Sequence, residues 1–251
     1  MTLKLGKLPF TVDERDIRLD QVVDIAAVLP KAPGNFGHET GITDWGMLGN
    51  DRYGDCTCAG ACHEHMLWTH EGSTETHFTD ADALGLYSAV TGFDPNDPSS
   101  DQGANVRDVL TYRRKHGVKD AAGKIHKIDG FLSIEPGNLD HLAVAMYVFG
   151  AVGIGFAFPD YAMDQFNAGK PWTYEEGPKP TEGHYVPLVA RRTGRLRCVT
   201  WGKTQQMQLE FFSVYCDEAW AIYSRETIGK LGHTPEGFDR AQLDKLLAAL
   251  G

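Results

Sequence analysis

The sequence lacks any uninterrupted run of about 18 apolar residues, the length a helix needs to cross a bilayer, so a membrane-spanning protein is not expected. Its start, Met1-Thr2-Leu3-Lys4-Leu5-Gly6, has no apolar stretch ending in small residues of the kind that marks a secretory leader, and synthesis in the cytoplasm is expected. Positive charge is scarce: 24 Lys and Arg stand against 34 Asp and Glu, giving a net charge of −10 and a pI near 5.4. Such a field repels nucleic acid and anionic membrane surfaces, and neither is expected as a partner. The short basic clusters Arg113-Arg114-Lys115 and Arg191-Arg192 with Arg195 and Arg197 read as solvated faces. Cysteine is also scarce, five residues in all. Their odd number, with Cys56, Cys58 and Cys62 crowded together and Cys198 and Cys216 apart, argues against a disulfide framework and leaves free thiols. Internal repeats and low-complexity tracts are missing too.

What remains is an ordinary globular composition, 42% hydrophobic and 23% charged over 251 residues, with 28 Gly and 12 Pro to make many turns. Residues 1–45 carry charges, Pro and Gly around short apolar runs and read as an arm laid over a core. Ala59, Cys62 and Met66 recur at helical spacing and predict a largely buried helix from Cys56 to His70. Asn105 with Asp108 can cap a second helix ending at His116 before Gly117. Residues 93–103 are a loop, a third helix covers Asn138 to Val148, and Ala151 to Phe158 is a buried strand. From His184 the pattern turns to strands, at residues 185–190, 196–201 and 211–222, with a turn at Thr193-Gly194. Pro187, lacking an amide donor, favours an edge or a bulge. Helices first and antiparallel strands second make an α+β protein. The division expected is an arm at 1–45, a domain at 46–228 and a C-terminal helical tail at 229–251, whose stripe is Phe238, Leu243, Leu246, Leu247 and Leu250.

Chemistry gathers at Asn50-Asp51-Arg52-Tyr53-Gly54-Asp55-Cys56. A cysteine at the first position of a helix sits beside unpaired amides and the positive end of the helix dipole, which lowers a thiol pKa. Far downstream, Gly183-His184 places an imidazole at the start of an apolar strand, where it can face a cleft and act as the base for a thiol.

The layout from about residue 5 to 225 resembles that of papain-like cysteine peptidases, bacterial or bacteriophage members in particular. Leu5-Gly6 followed by Asp13-Glu14-Arg15-Asp16 is similar to the leader of bacterial members. Gly54 and Cys56 keep the spacing of the family's Gln-Gly-x-x-Gly-Ser-Cys motif. Ser100 to Asp108, through Lys115 to Val118, is similar to the cleft wall and its following helix. Gly183-His184 fits the base motif, and Thr200-Trp201-Gly202 the end of Asn-Ser-Trp-Gly. The resemblance implies a two-lobed fold, with a helical lobe and an antiparallel β-barrel-like lobe facing each other across a cleft. It implies hydrolysis of peptide bonds by a Cys56–His184 thiolate-imidazolium pair, with no cofactor. Asn50 would be the oxyanion donor and Gly54, Asp55, Gly103, Thr200 and Trp201 would line the cleft. Asn50 stands where the family has the longer Gln. Val199 stands where it has the Asn that orients the histidine, with Thr200 as a substitute.

That departure supports an alternative, a catalytically impaired scaffold serving as a structural or binding component of a larger assembly such as a bacteriophage particle, with partners met through the arm or the C-terminal helix. A zinc reading of Cys56, Cys58, Cys62, His63 and His65 is set aside because they crowd one helix that must also pack. Calcium at Asp94, Asp97 and Asp101 is set aside because the EF-hand spacing is missing. Glu175, Glu176 and Glu182 read as a solvated loop. Gly150, Gly153 and Gly155 serve close strand packing rather than phosphate binding.

Overall fold

The computed structural model describes residues 3–22, 29–177 and 179–228, with positions 232, 234, 237 and 241 beyond them. The predicted tail stripe lies outside the described residues.

Helix α1, Cys56–Glu71, is buried from Cys56 through Thr69, so it has no solvent face and forms the axis of the helical lobe. Around it lie α2 (Asp80–Thr91) and α3 (Val106–Lys115). A capping box starts α2, the Thr79 amide donating to Asp82 at 2.8 Å. Asn105 caps α3 by accepting from the Arg107 amide at 2.9 Å. The pattern of the sequence missed α2, whose buried face is only Ala83, Leu86 and Tyr87. After a small hairpin, β2 (Val118–Lys119) with β3 (Ile125–His126), come β4 (Gly130–Ile134), α4 (Leu139–Phe149), β5 (Val152–Phe158) and α5 (Asp160–Asn167). The remaining elements are β6 (Glu182–Arg192), β7 (Arg195–Thr200), β8 (Lys203–Gln208), α6 (Leu209–Tyr215) and β9 (Cys216–Tyr223).

The large sheet runs in the order β4-β9-β5-β6-β7-β8, every pair antiparallel, with the two-residue strand β1 (Phe36–Gly37) added to β6. This is the expected α+β architecture, but the sheet stays open where a barrel-like lobe was anticipated. Residues 211–222 are not one strand: Leu209–Tyr215 coils into α6 so that the rings of Phe211 and Tyr215, four apart, meet at a 58° tilt with centroids 4.9 Å apart. Strand β8 was missed because its sequence, Lys-Thr-Gln-Gln-Met-Gln, is polar and buries only Gln205 and Met207. Pro187 lies in a central strand opposite Gly153, one residue before the irregularity in the ladder to β7 between Leu188 and Ala190.

Three clusters of buried side chains form the core. One fills the sheet side around Phe156, Phe158, Trp172 and Met207, and a second fills the helical side around Leu48, Leu67, Tyr87 and Val109. A third lies at the junction and contains Cys56, Trp68, Val106, Leu110, Tyr185 and Trp220. All five cysteines are free thiols. Arg113 does not sit on a solvated face as its basic run suggested. It is fully buried, paired with Glu64 at 2.6 Å and set over the Trp68 ring at 5.7 Å. Glu64 also accepts from the Tyr185 hydroxyl at 2.6 Å. The trio bolts α1 and α3 to β6.

Removing one member of a buried ion pair strands the other charge, at a cost of about 3–5 kcal/mol. Arg113→Met is therefore expected to lower the urea midpoint sharply, and Glu64→Leu combined with Arg113→Met to recover part of the loss. A double variant less stable than the single one contradicts this account.

Candidate active site

Cys56 opens α1, and the turn before it is held from the opposite wall. The Gly54 amide donates to Asp101 Oδ1 at 3.0 Å, the Tyr87 hydroxyl donates to the same oxygen at 2.8 Å, and that hydroxyl accepts from the Gly103 amide at 2.8 Å. Asp101, considered above as a calcium ligand and as part of the wall-like stretch, thus ties the cysteine turn to the glycine wall. Asp94 and Asp97 instead cap local turns.

His184 lies on β6 opposite Phe156. Side chains alternate along a strand, so His184 turns to the sheet core while Tyr185 turns to α1. The imidazole stacks on Trp201 with centroids 4.3 Å apart and planes 15° apart, and Phe156, Phe158 and Trp172 meet it edge-on. Its Nε2 lies 2.7 Å from Thr200 Oγ1. Its Nδ1 is buried with no hydrogen-bond partner among the described residues. Val199, the neighbour of Thr200, packs into the helical-side core.

The resemblance implies an ionised thiolate-imidazolium pair, and burial gives something different. Cys56 is 2% exposed and His184 1%. Desolvation pushes the Cys56 thiol up to about 12, against the opposing pull of the Tyr185 and Gly6 amides, so the helix terminus does not win here. Burial alone pushes His184 down to about 3. Both groups are neutral near pH 7. Asp55, next to Cys56 in the chain, is buried too, its carboxyl raised well above the usual range by desolvation.

Part of the cover over Cys56 comes from the chain's own N-terminal segment, whose Gly6 backbone reaches the thiol. Leu3 to Leu8 runs as a strap through the groove between Gly103-Ala104 and Gly183. The amides of Gly6 and Lys7 donate to Gly183 O at 3.2 and 3.1 Å, Ala104 N donates to Gly6 O at 2.8 Å, and Leu8 N donates to Ala104 O at 3.0 Å. Lys4 O accepts from Trp201 Nε1 at 3.2 Å and from Asn50 Nδ2 at 3.4 Å, so Asn50's amide faces the strap. Gly6 is required by close approach: a Cβ there would lie 1.9 Å from Gly54 O. Lys7 is buried and anchors the strap, its ammonium 2.9 Å from Asp217 and 3.1 Å from Glu218. Its stem passes over Gly155, where a Cβ would lie 2.1 Å from Lys7 Cε. Open space of about 570 Å³ remains along the strap, bordered by Gly54, Asp101, Gly103, Gly183 and Asp217. Lys7, Asp101, Tyr87 and the Asp217-Glu218 pair carried no sequence signal, since each acts through a partner far away in the chain.

The proposed zinc ligands of α1 do not converge: His63 Nε2 faces Gly46 O at 3.2 Å while His65 faces Glu226. No helix among the described residues is long and apolar enough to cross a membrane.

No protein-family model matches the sequence, and no curated protein matches it. Solved structures do. Xylellain, a cysteine protease from Xylella fastidiosa, superposes with a TM-score of 0.67 at 18% identity, over 89% of this chain and 98% of its own. Digestive procathepsin L 3 of the Tenebrio molitor larval midgut gives 0.57 at 9% identity, over 88% and 75% of the two chains. The ragweed pollen cysteine protease Amb a 11, in its proform, gives 0.54 at 16% identity, over 80% and 68%. The fold is that of papain-like cysteine proteases.

A histidine held neutral by the fold has a definite linkage sign. The unfolded chain, with a histidine pKa of about 6.5, binds a proton that the folded chain refuses until about pH 3. Stability is therefore lost as pH falls through that interval. His184→Gln is expected to flatten the decline of the urea midpoint between those limits; an unchanged slope contradicts the burial of a neutral ring.

Proposed function

We propose that the chain is a latent papain-like cysteine peptidase, with Cys56 as nucleophile and His184 as base, closed by its own N-terminal strap. The observation that carries this reading is the strap itself: an extended peptide backbone lies in the groove, hydrogen-bonded to both walls, with Gly6 over the Cys56 sulfur. A groove that holds one extended peptide is suited to hold another, and peptide or protein substrates follow. The fold shared with cysteine proteases supports the same class.

When the strap leaves, water enters, the cost of charge separation falls, and the thiol can pass its proton to the free Nδ1 of His184. Thr200 Oγ1, accepting from Nε2–H, fixes the tautomer that leaves Nδ1 as a lone pair, and the Trp201 face holds the ring plane. Thr200 then serves where the related peptidases have asparagine. The thiolate attacks the scissile carbonyl, His184 returns the proton to the leaving amine, and water hydrolyses the thioester. Asn50 Nδ2, released from Lys4 O, and the Cys56 amide would receive the developing oxyanion. The chemistry needs no group beyond these side chains.

Gly6→Ala forces the strap off Gly54 without shortening the chain, and Lys7→Met removes its anchor. Both are expected to release hydrolysis of an unstructured protein substrate that the parent chain cleaves at least tenfold more slowly. Adding Cys56→Ala should abolish the released activity, and adding Asn50→Ala should lower kcat by about 10²–10³, the usual worth of an oxyanion donor. Folded strap variants that remain inactive would favour the alternative of a papain-like scaffold with a binding role. The same Gly6→Ala protein with Thr200→Val should lose kcat while retaining its KM, since the hydroxyl touches the base and not the substrate.

A further inference from the structure

On the far side of α1 from the groove, three segments distant in sequence bring nitrogen and oxygen donors to one point. His65 comes from the middle of α1, His126 from β3, and Glu226 from the short turn Arg225–Thr227 that follows β9. One ligand atom from each lies within 4.8 Å of the other two. His65 Nδ1 is 2.8 Å from Glu226 Oε2, and His126 Nδ1 is 2.5 Å from Glu226 Oε1. Neither imidazole is exposed, and the glutamate side chain is 19% exposed, so solvent reaches the cluster through the carboxylate alone.

We propose that His65, His126 and Glu226 form a site for a zinc-class divalent cation that fastens the chain after β9 to the core of the helical lobe. The outer partners fit this reading. Asp120 Oδ2 accepts from His126 Nε2 at 3.0 Å, which turns the Nδ1 lone pair toward Glu226; a carboxylate behind a ligating imidazole is the usual support of such a site. His65 Nε2 has no partner among the described residues, so both rings present the same nitrogen to the same carboxylate. Two imidazoles and one carboxylate are a donor set suited to zinc, which takes three protein ligands and a water in tetrahedral geometry. Bonds of about 2.0–2.2 Å place neighbouring donors about 3.3 Å apart. Rotation of the Glu226 carboxylate and small ring movements reach that spacing, and its exposed edge leaves room for the water.

The rival is a cluster held by protons alone, with an imidazolium between Asp120 and Glu226. The test uses the full chain, stripped with a chelator and titrated with zinc chloride, with native mass and thermal midpoint as readouts. Cobalt(II) follows as a coloured probe of tetrahedral nitrogen and oxygen donors. Expected are one equivalent of zinc, a midpoint raised by several degrees, and a visible cobalt band. Glu226→Gln keeps a polar neighbour for both rings but loses the anionic ligand; once shown by circular dichroism to be folded, it should lose the cobalt band and at least tenfold in zinc affinity. His77→Ala, a change nearby but outside the cluster, should retain both. Absence of stoichiometric uptake by the parent chain overturns the proposal, as does equal uptake by folded Glu226→Gln. Neither readout depends on peptidase activity.

Discussion

The site hangs on one strand that must satisfy both lobes at once. Strand β6 carries His184 on the face turned to the sheet core and Tyr185 on the face turned to α1, and its second residue, Gly183, binds the strap. A one-residue slip of register would exchange those faces, taking the imidazole from Trp201 and the phenol from Glu64. The buried Glu64–Arg113 pair makes such a slip costly, because Tyr185 is one of the few donors that satisfy the carboxylate there. The position of the cysteine helix relative to the histidine strand is therefore set by polar contacts inside an otherwise apolar junction.

The proposed latency rests on the same burial. Lifting a thiol from its ordinary 9.0 to about 12 corresponds to about 4 kcal/mol of preference for the neutral form, and the histidine is shifted the other way. Burial thus disfavours the charged forms of both side chains, even though Cys56 sits at a helix terminus. The strap is held by backbone hydrogen bonds to both walls and by the Lys7 ammonium between Asp217 and Glu218. Leu3 and Leu5 also pack on the sheet-side core, and Gly6 lets the strap approach Gly54 closely.

Much of the frame could be read from the residues. The cysteine helix, the capped helix after the glycine wall, the strand after Gly150 and the hairpin at Thr193-Gly194 all follow from local periodicity and turn chemistry. What failed did so for non-local reasons. The segment 209–215 is rich in strand formers yet coils, because Phe211 must reach Trp172, with which it stacks at 5.9 Å, and Phe212 is buried beside it. Arg113 belongs to a basic run, but Glu64 buries it from another helix. Cys56 does open a helix and His184 does lie at the start of a strand, while their burial could not be foreseen, since nothing local announces that residues 3–8 lie between Gly103-Ala104 and Gly183. Thr200, considered as a lining residue and as a substitute for the missing asparagine, lies within bonding distance of the imidazole.

The central claim is that Cys56 becomes a nucleophile activated by His184 only when the strap is displaced. Covalent trapping tests it most directly: a peptidyl fluoromethyl ketone is added to the parent chain, to Gly6→Ala and to Gly6→Ala with His184→Ala, and the modified residue is mapped by mass spectrometry. One equivalent on Cys56 in Gly6→Ala alone, with the other two unmodified, is the predicted result. Equal modification of all three proteins, or modification confined to the partly exposed Cys216, would contradict it.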